Sequence, residues 1–183
     1  MIEDNVLISY QGKGVFVKSY IQGGYWNKFH RFQRMDGSLI MNYSPQVISF
    51  EYIPAGRRIA EKLGIDRREL VIHWRRIMSV DGVQVGVDDA WLPRKFLPNL
   101  TPEHLIYRAP TDSVYAIYEK SDHILICHST DSIAATVLEE DFYCIEKNPS
   151  ILFIKRTAHD ALRQVVEYRE ERVNAHYVQI VID

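Results

Sequence analysis

Cysteine is nearly absent. Only Cys127 and Cys144 occur in 183 residues, and both stand among apolar neighbours, in LICHS and FYCIE. That excludes a disulfide scaffold and leads us to expect buried, reduced thiols in a cytoplasmic protein. Excess basic charge is also missing. Lys and Arg number 22 against 24 Asp and Glu, for a formal net charge of −2, so the chain lacks the overall electrostatic footprint of a nucleic-acid binder. Apolar runs break off within about six residues, where a bilayer-spanning helix needs roughly 20. Residues 1–20 carry Glu3 and Asp4 and lack the apolar core of a leader peptide, so no signal peptide and no membrane association are expected.

The motifs of chemistry are missing too. Seven histidines (residues 30, 73, 104, 123, 128, 159 and 176) are scattered, with no HExxH and no CxxC, so no metal site is supported. There is no GxSxG elbow and no Ser, His and Asp in a nucleophile context. Gly12-Lys13-Gly14 lacks the spacing of a phosphate-binding loop and reads as a β-turn. Catalytic residues and cofactors are therefore not expected, and nothing in the sequence demands an enzyme.

What is present is enough for one good-sized domain, with 46% hydrophobic and 25% charged residues. ISYQGKGVFV (8–17) reads as a short hairpin, too small to be stable alone. Residues 19–42 show no clean period and contain Gly23-Gly24 and Asp36-Gly37, as a linker would. PQVISFEYI (45–53) reads as a strand. PAGRRIAEKLG (54–64) reads as a helix starting near Pro54, with Ile59 and Leu63 on one face and Gly64 as its stop. ELVIHWRRIMSV and VQVGVDDAWLP flank Asp81-Gly82, the strongest short hairpin signal. After a stretch punctuated by Pro93, Pro98 and Pro102, TDSVYAIYEK predicts a helix capped by Thr111 or Asp112. HILICHSTDSIAATVL reads as a strand and EEDFYCIEK (139–147) as a helix. The segment from 163 to the end reads as one long strand, with or without a bulge. Helices punctuating long strands predict an α+β domain built on a mostly antiparallel sheet.

NVLISYQGKGVFVKSY resembles the wing of the winged helix-turn-helix in bacterial GntR-type transcription regulators. From about Ser44 onward the chain resembles the UTRA effector-binding domain of their HutC subfamily. The resemblance is carried by FEYIPAGRRIAEKLGI, RIMSVDG, DAWLP, DSVYAIYE, AATVLEEDFYCIEKNPSILFIKR and VVEYREERVNAHY, all in the family's order. It implies a chorismate-lyase-like sheet flanked by helices, and three segments: residues 1–18, the remnant of a DNA-binding domain; 19–42, a linker; and 43–183, the effector-binding and dimerisation domain. It further implies a homodimer that senses a small polar or anionic metabolite, such as a phosphorylated sugar, a carboxylate or an amino-acid-like compound. Operator DNA is bound only by an intact regulator, in which Lys13 of the wing touches the phosphate backbone. The alternatives are a chorismate-lyase-like enzyme and a dimerisation module without a ligand.

Alternation along Leu70 to Met78 puts Leu70, Ile72, Trp74, Arg76 and Met78 on one face. Arg76 then lies among apolar side chains and needs an acidic partner or an anionic ligand. It stands at the first arginine of the family's Arg-x-Arg, whose second position here is Met78. Asp88 pairs with Arg75 if Asp81-Gly82 is a simple two-residue turn, and with Arg76 if the loop takes three residues and a bulge. Residue types alone leave this open, and the resemblance favours Arg76. Ser113 and Tyr115 open the next helix, whose first N–H groups can receive an anion, and they match the family's Ser-x-Tyr. By resemblance Glu167 is an effector contact, and Arg31, with Phe29 and Phe32, lies in a segment closing one end of the pocket. The chain departs from the family at Val173 and at Asn174-Ala175-His176.

Overall fold

The computed structural model describes residues 7–10, 14–17, 31–38, 40, 43–106, 113–137 and 150–181. Six strands make the main sheet: β4 (Tyr43–Pro54), β5 (Leu70–Val80), β6 (Val83–Pro93), β7 (His128–Val137), β8 (Ser150–His159) and β9 (Val165–Asn174). Their spatial order is β4-β5-β6-β9-β8-β7, and every neighbouring pair is antiparallel. Two two-stranded pieces accompany it, β1 (Leu7–Tyr10) with β2 (Gly14–Val17), and β3 (Arg31–Arg34) with β10 (Val178–Val181). Three helices complete the described elements: α1 (Gly56–Leu63), α2 (Pro102–Ile106) and α3 (Val114–Asp122). The expected α+β, mostly antiparallel architecture is the one observed.

Each face of the sheet is covered by a helix. On one, α1 lays Ile59, Ala60 and Leu63 against Val71, Trp91 and Tyr168. Its chain leaves through Gly64 at φ 65°, a left-handed position that glycine adopts without strain. On the other, α3 presents Val114, Tyr115, Ile117 and Tyr118 to Ile72, Trp74, Ala90, Leu92, Ala158 and Val166. A smaller apolar cluster of Met78, Val80, Val85, Ile154, Val173 and Val178 occupies the far end of this second face, with Phe32 and Ile180 packed on it. Each large apolar side chain buried in this way contributes about 1.5–3 kcal/mol.

The β5–β6 hairpin combines both alternatives weighed above. Asp81 (φ 50°) and Gly82 (φ 80°) make a two-residue turn with both residues at positive φ, and Val80 pairs with Val83. The bulge comes later. Ser79 pairs with Gln84 and Met78 with Gly86, so Val85 is the extra residue. One inserted residue moves every following side chain to the other face. Arg76 thereby faces Asp88, and Arg75 faces Asp89.

Several expectations are corrected. Pro54 ends β4, opposite Leu70 as Ile53 is opposite Val71, and the helix starts two residues later at Gly56. Ser113, not Thr111 or Asp112, caps α3: its backbone is extended, and its Oγ accepts the Tyr115 N–H at 3.1 Å. Residues 19–42 contain strand β3, which finds its partner in β10, almost 150 positions away. The segment from 163 is two strands, not one. Asn174 turns the chain by accepting from His176 N through its side chain and from Tyr177 N through its carbonyl. The helix expected over 139–147 lies outside the described residues, as do Cys144, Lys13 and Phe29; Cys127 is buried.

Candidate functional site

Across the α3-covered face, between its two apolar clusters, runs a band of buried charge. β5 supplies Arg76, β6 Asp88, β9 Glu167, Arg169 and Glu171, β8 Arg156 and β7 Asp131. The register explains the assembly: Asp88 pairs with Glu171, Ala90 with Arg169, Arg169 with Arg156, and Arg156 with Asp131. Alternation within β9 then places Glu167, Arg169 and Glu171 on one face.

Arg76 grips Asp88 from two nitrogens, with Nε 2.7 Å from Oδ1 and Nη2 2.7 Å from Oδ2. Arg169 is the hub. Its Nη2 donates to Glu167 Oε2 at 2.8 Å, while Nη1 lies 3.5 Å from Asp88 and 3.7 Å from Glu171. Arg156 makes a fork onto Asp131 at 2.7 and 2.8 Å. Glu167 is fully buried and takes two phenols from α3, Tyr118 at 2.6 Å and Tyr115 at 3.2 Å. Trp74 lies beneath, its ring centroid 5.1 Å from the Arg76 guanidinium carbon and 5.0 Å from that of Arg169.

Burial shapes the titration of the band. It pushes Asp88 above the ordinary carboxylate value, outweighing the pull of Arg76 and Arg169. It also raises the phenols of Tyr115 and Tyr118, and the Glu167 carboxylate adds to both shifts. Burial works against the charge of Arg169, but Glu167 and Asp88 among its neighbours more than offset it, so this guanidinium stays protonated. Two buried donors, Trp74 Nε1 and Arg169 Nε, have no hydrogen-bond partner among the described residues.

Four of the residues singled out from sequence, Arg76, Asp88, Tyr115 and Glu167, therefore lie in one network. Ser113 sits two residues before Tyr115, with its Oγ engaged as the helix cap. Arg31 lies on β3, in the ribbon whose Phe32 packs at the far end of the same face; its side chain is outside the described residues. Sequence reasoning missed Arg169, Glu171, Arg156, Asp131 and Tyr118. The signal for the first two was present, because VVEYREER carries charge at every second position.

A second ion network lies on the opposite face. Asp89 is 2.8 Å from His73 Nε2 and accepts from Arg75 at 2.8 and 3.1 Å. Glu170 accepts from Tyr168 at 2.8 Å and from Arg172 at 3.2 Å. His73 stacks on Trp91, with centroids 4.9 Å apart. None of the residues singled out from sequence falls in it. Among the described residues no group of His, Cys, Asp and Glu could hold a metal ion, and no helix is long and apolar enough to cross a membrane.

A family model described as the UTRA domain matches residues 39–179. The chain belongs to the UTRA domain family. Among relatives of this UTRA domain is the "Probable fructoselysine utilization operon transcriptional repressor" of Shigella flexneri. It is 25% identical over 185 residues, an alignment covering 100% of this chain and 74% of the relative. A ligand-binding domain from Bordetella bronchiseptica, placed in the GntR family of transcriptional regulators, superposes with a TM-score of 0.78 at 18% identity, over 85% of this chain and 96% of that one. The C-terminal domain of the histidine utilization repressor from Pseudomonas syringae gives 0.64 at 17% identity, over 78% and 98%. The UTRA domain is thus a ligand-binding regulatory domain of a transcription repressor, not an enzyme, and the lyase alternative is set aside.

Proposed function

We propose that the charged band beneath α3 receives a small polar effector, and that its binding alters the operator affinity of a HutC-type GntR regulator acting as a homodimer. One observation carries this reading. The sheet, through Glu167, and helix α3, through Tyr115 and Tyr118, meet in a buried polar network in which two donors, Trp74 Nε1 and Arg169 Nε, have no partner among the described residues. Buried donors are rarely left unmade, because each costs about 1–3 kcal/mol. An effector that accepts from them stabilises the arrangement in which α3 sits on the sheet.

The roles follow from position. Arg169 and Trp74 contact the effector. Arg76, Asp88 and Glu167 hold Arg169 and the phenols in place. Ser113 fixes the start of α3, and Arg31 closes the end near β3. Residues 1–18 act as the wing of a DNA-binding domain, with Lys13 on the phosphate backbone, and residues 19–42 link it to the effector and dimerisation domain of 43–183. Transmission is a population shift between dimer geometries that differ in DNA affinity. The relative's name, which speaks of fructoselysine utilization, supports a small polar compound as the effector.

A thermal-shift screen of the chain against fructoselysine, hexosamines, sugar phosphates, amino acids and carboxylates tests the reading. A ligand present at 100 times its Kd stabilises by about 2.7 kcal/mol, a rise of a few degrees in Tm. That response disappears in Arg169→Met. No response to any member of the panel overturns the effector reading.

A further inference from the structure

The end of the sheet where β4 finishes, β5 begins and β6 finishes is strongly basic. Backbone hydrogen bonds draw its pieces together. The Ala55 N–H donates to the Glu69 carbonyl at 2.9 Å, Gly56 N–H to the Arg67 carbonyl at 3.0 Å, and Arg94 N–H to the Leu70 carbonyl at 3.0 Å. They set Arg57, Arg58 and Lys62 of α1, with Arg67 and Arg68 of the loop after it, beside Arg94 and Lys95. All seven are exposed.

Three of the seven are paired: Arg57 with Glu61 at 3.0 Å, Arg58 with Glu170 at 2.5 Å and Lys95 with Glu69 at 2.9 Å. Lys62, Arg67, Arg68 and Arg94 have no carboxylate partner among the described residues. The remaining acid of these segments, Asp66, accepts the backbone N–H of Arg68 at 2.8 Å. Seven bases thus meet four acids, in a chain whose formal net charge is −2. A surface that serves solubility alone intersperses the two signs, whereas the unpaired charges here share one sign. Five of the seven bases are arginines, whose planar forks match phosphate oxygens two at a time. The guanidinium carbon of Arg94 lies 4.5 Å from the ring centroid of Tyr52, which holds that fork at the surface.

We propose that this basic end of the sheet is a sequence-independent contact with the phosphate backbone of duplex DNA. The proposal rests on the reading above, in which the domain serves a DNA-bound regulator, and adds a contact outside the wing. Exposed cations of this kind position a duplex without reading its bases. β5 runs from Leu70 beside the patch to Val80, whose neighbour Asp81 pairs with Arg34 of the β3–β10 ribbon. Eleven residues of strand span about 35 Å, close to one turn of B-DNA. The patch therefore suits flanking duplex about one turn from the DNA nearest the ribbon. Tethering by the rest of the regulator raises the local concentration of that duplex, so a few weak contacts suffice.

Fluorescence anisotropy tests it, with the whole 183-residue chain and a labelled duplex of arbitrary sequence. The expected result is saturable binding that weakens with salt, with a log–log slope of about −3 for about three phosphates neutralised. Arg67→Glu combined with Arg68→Glu is expected to weaken binding about tenfold or more at low salt. Both side chains are exposed, so the melting temperature should hold; Lys62→Glu, on the flank of α1, is the second variant. Lys155→Glu, exposed on β8 and away from the patch, leaves binding unchanged. No binding at low salt overturns the proposal, as does equal weakening by Lys155→Glu. Binding that vanishes in Lys13→Ala and persists in the double variant belongs to the wing and overturns it too. Phosphatidylserine vesicles or polyglutamate bound more tightly than duplex, and released by the same double variant, give the patch to a membrane or an acidic protein and overturn the assignment to DNA. The effector reading is decided separately by the thermal-shift screen, which the patch variants leave unchanged.

Discussion

Arg169 and Arg156 stand directly opposite each other on adjacent strands, and each guanidinium is held by a different carboxylate, Glu167 at 2.8 Å and Asp131 at 2.7 Å. Two like charges side by side on a sheet repel. The arrangement persists because each arginine brings its own counter-charge, one from the same strand and one from the edge strand β7.

Removing one of those counter-charges is therefore costly. Asp131→Ala leaves Arg156 buried beside Arg169 without its fork, and a loss of about 3 kcal/mol or more is expected. Arg57→Ala breaks the exposed i,i+4 pair with Glu61 on α1 and costs about 0.3–0.5 kcal/mol. Urea unfolding of both variants checks the contrast; similar losses would refute the distinction between the buried and exposed pairs.

The bulge at Val85 brings Gly86 against β9. A Cβ there would lie 2.5 Å from the Arg172 carbonyl oxygen and 2.9 Å from Met78 Cε. The carbonyl is backbone and cannot swing aside, so Gly86→Ala forces β6 and β9 apart, and about 1–3 kcal/mol of destabilisation is expected. Gly82→Ala meets nothing within 4 Å but must hold φ near +80°, so it costs about 1–2 kcal/mol through strain alone. Amide exchange separates the two. Gly86→Ala loosens amides on β9, whereas Gly82→Ala leaves them as protected as overall stability allows.

Two phenols on α3 share one carboxylate, at different distances. Tyr118 reaches Glu167 at 2.6 Å and Tyr115 at 3.2 Å. Hydrogen bonds to charged groups contribute about 1.5–3 kcal/mol. Tyr118→Phe is expected to fall within that range and Tyr115→Phe below it. Denaturant midpoints with unchanged m-values provide the measurement, and a larger loss at Tyr115 would count against Glu167 as the main anchor of α3.

Asp88 and Asp89 are chain neighbours on opposite faces and are expected to shape acid stability in opposite directions. Burial acts to raise the Asp89 value, but hydrogen bonds from His73 and Arg75 outweigh it and hold the carboxyl below its ordinary range. Its contribution is present above the unfolded aspartate value, about 3.9, and is lost as pH falls through the folded value. The deficit of Asp89→Asn relative to the parent therefore narrows on acidification. Asp88 is raised by burial, so the folded chain takes up its proton first and the cost of the buried charge is relieved as pH falls. The parent should accordingly gain on Asp88→Asn as pH drops toward 4. Stability measured between pH 7 and 3 checks both, and parallel profiles for the two variants would refute the assignment.

Much of the local structure was legible in the residues. Asp81-Gly82 gave the hairpin, Gly64 the end of α1, and alternation the face on which Arg76 lies. The turn alone, however, would have paired Asp88 with Arg75, and the one hint of the bulge at Val85 is Gly86 beside it, which does not say which residue is the extra one. VVEYREER shows that charges alternate on β9, but not that one set meets α3 and the other α1. The segment around Arg31 has no period of its own, because a four-residue strand takes its order from β10 and not from its own composition.

By itself, then, the sequence determined the antiparallel α+β class, the order of the long strands and the helices that cover them, and the family. Those follow from short-range turn chemistry, side-chain period and collinear motifs. Only the tertiary structure decided which charges face each other. The choice depends on a single inserted residue in one strand and on pairing across five neighbouring strands, and hydrogen-bond register is settled by the whole sheet closing on its core rather than by any one segment.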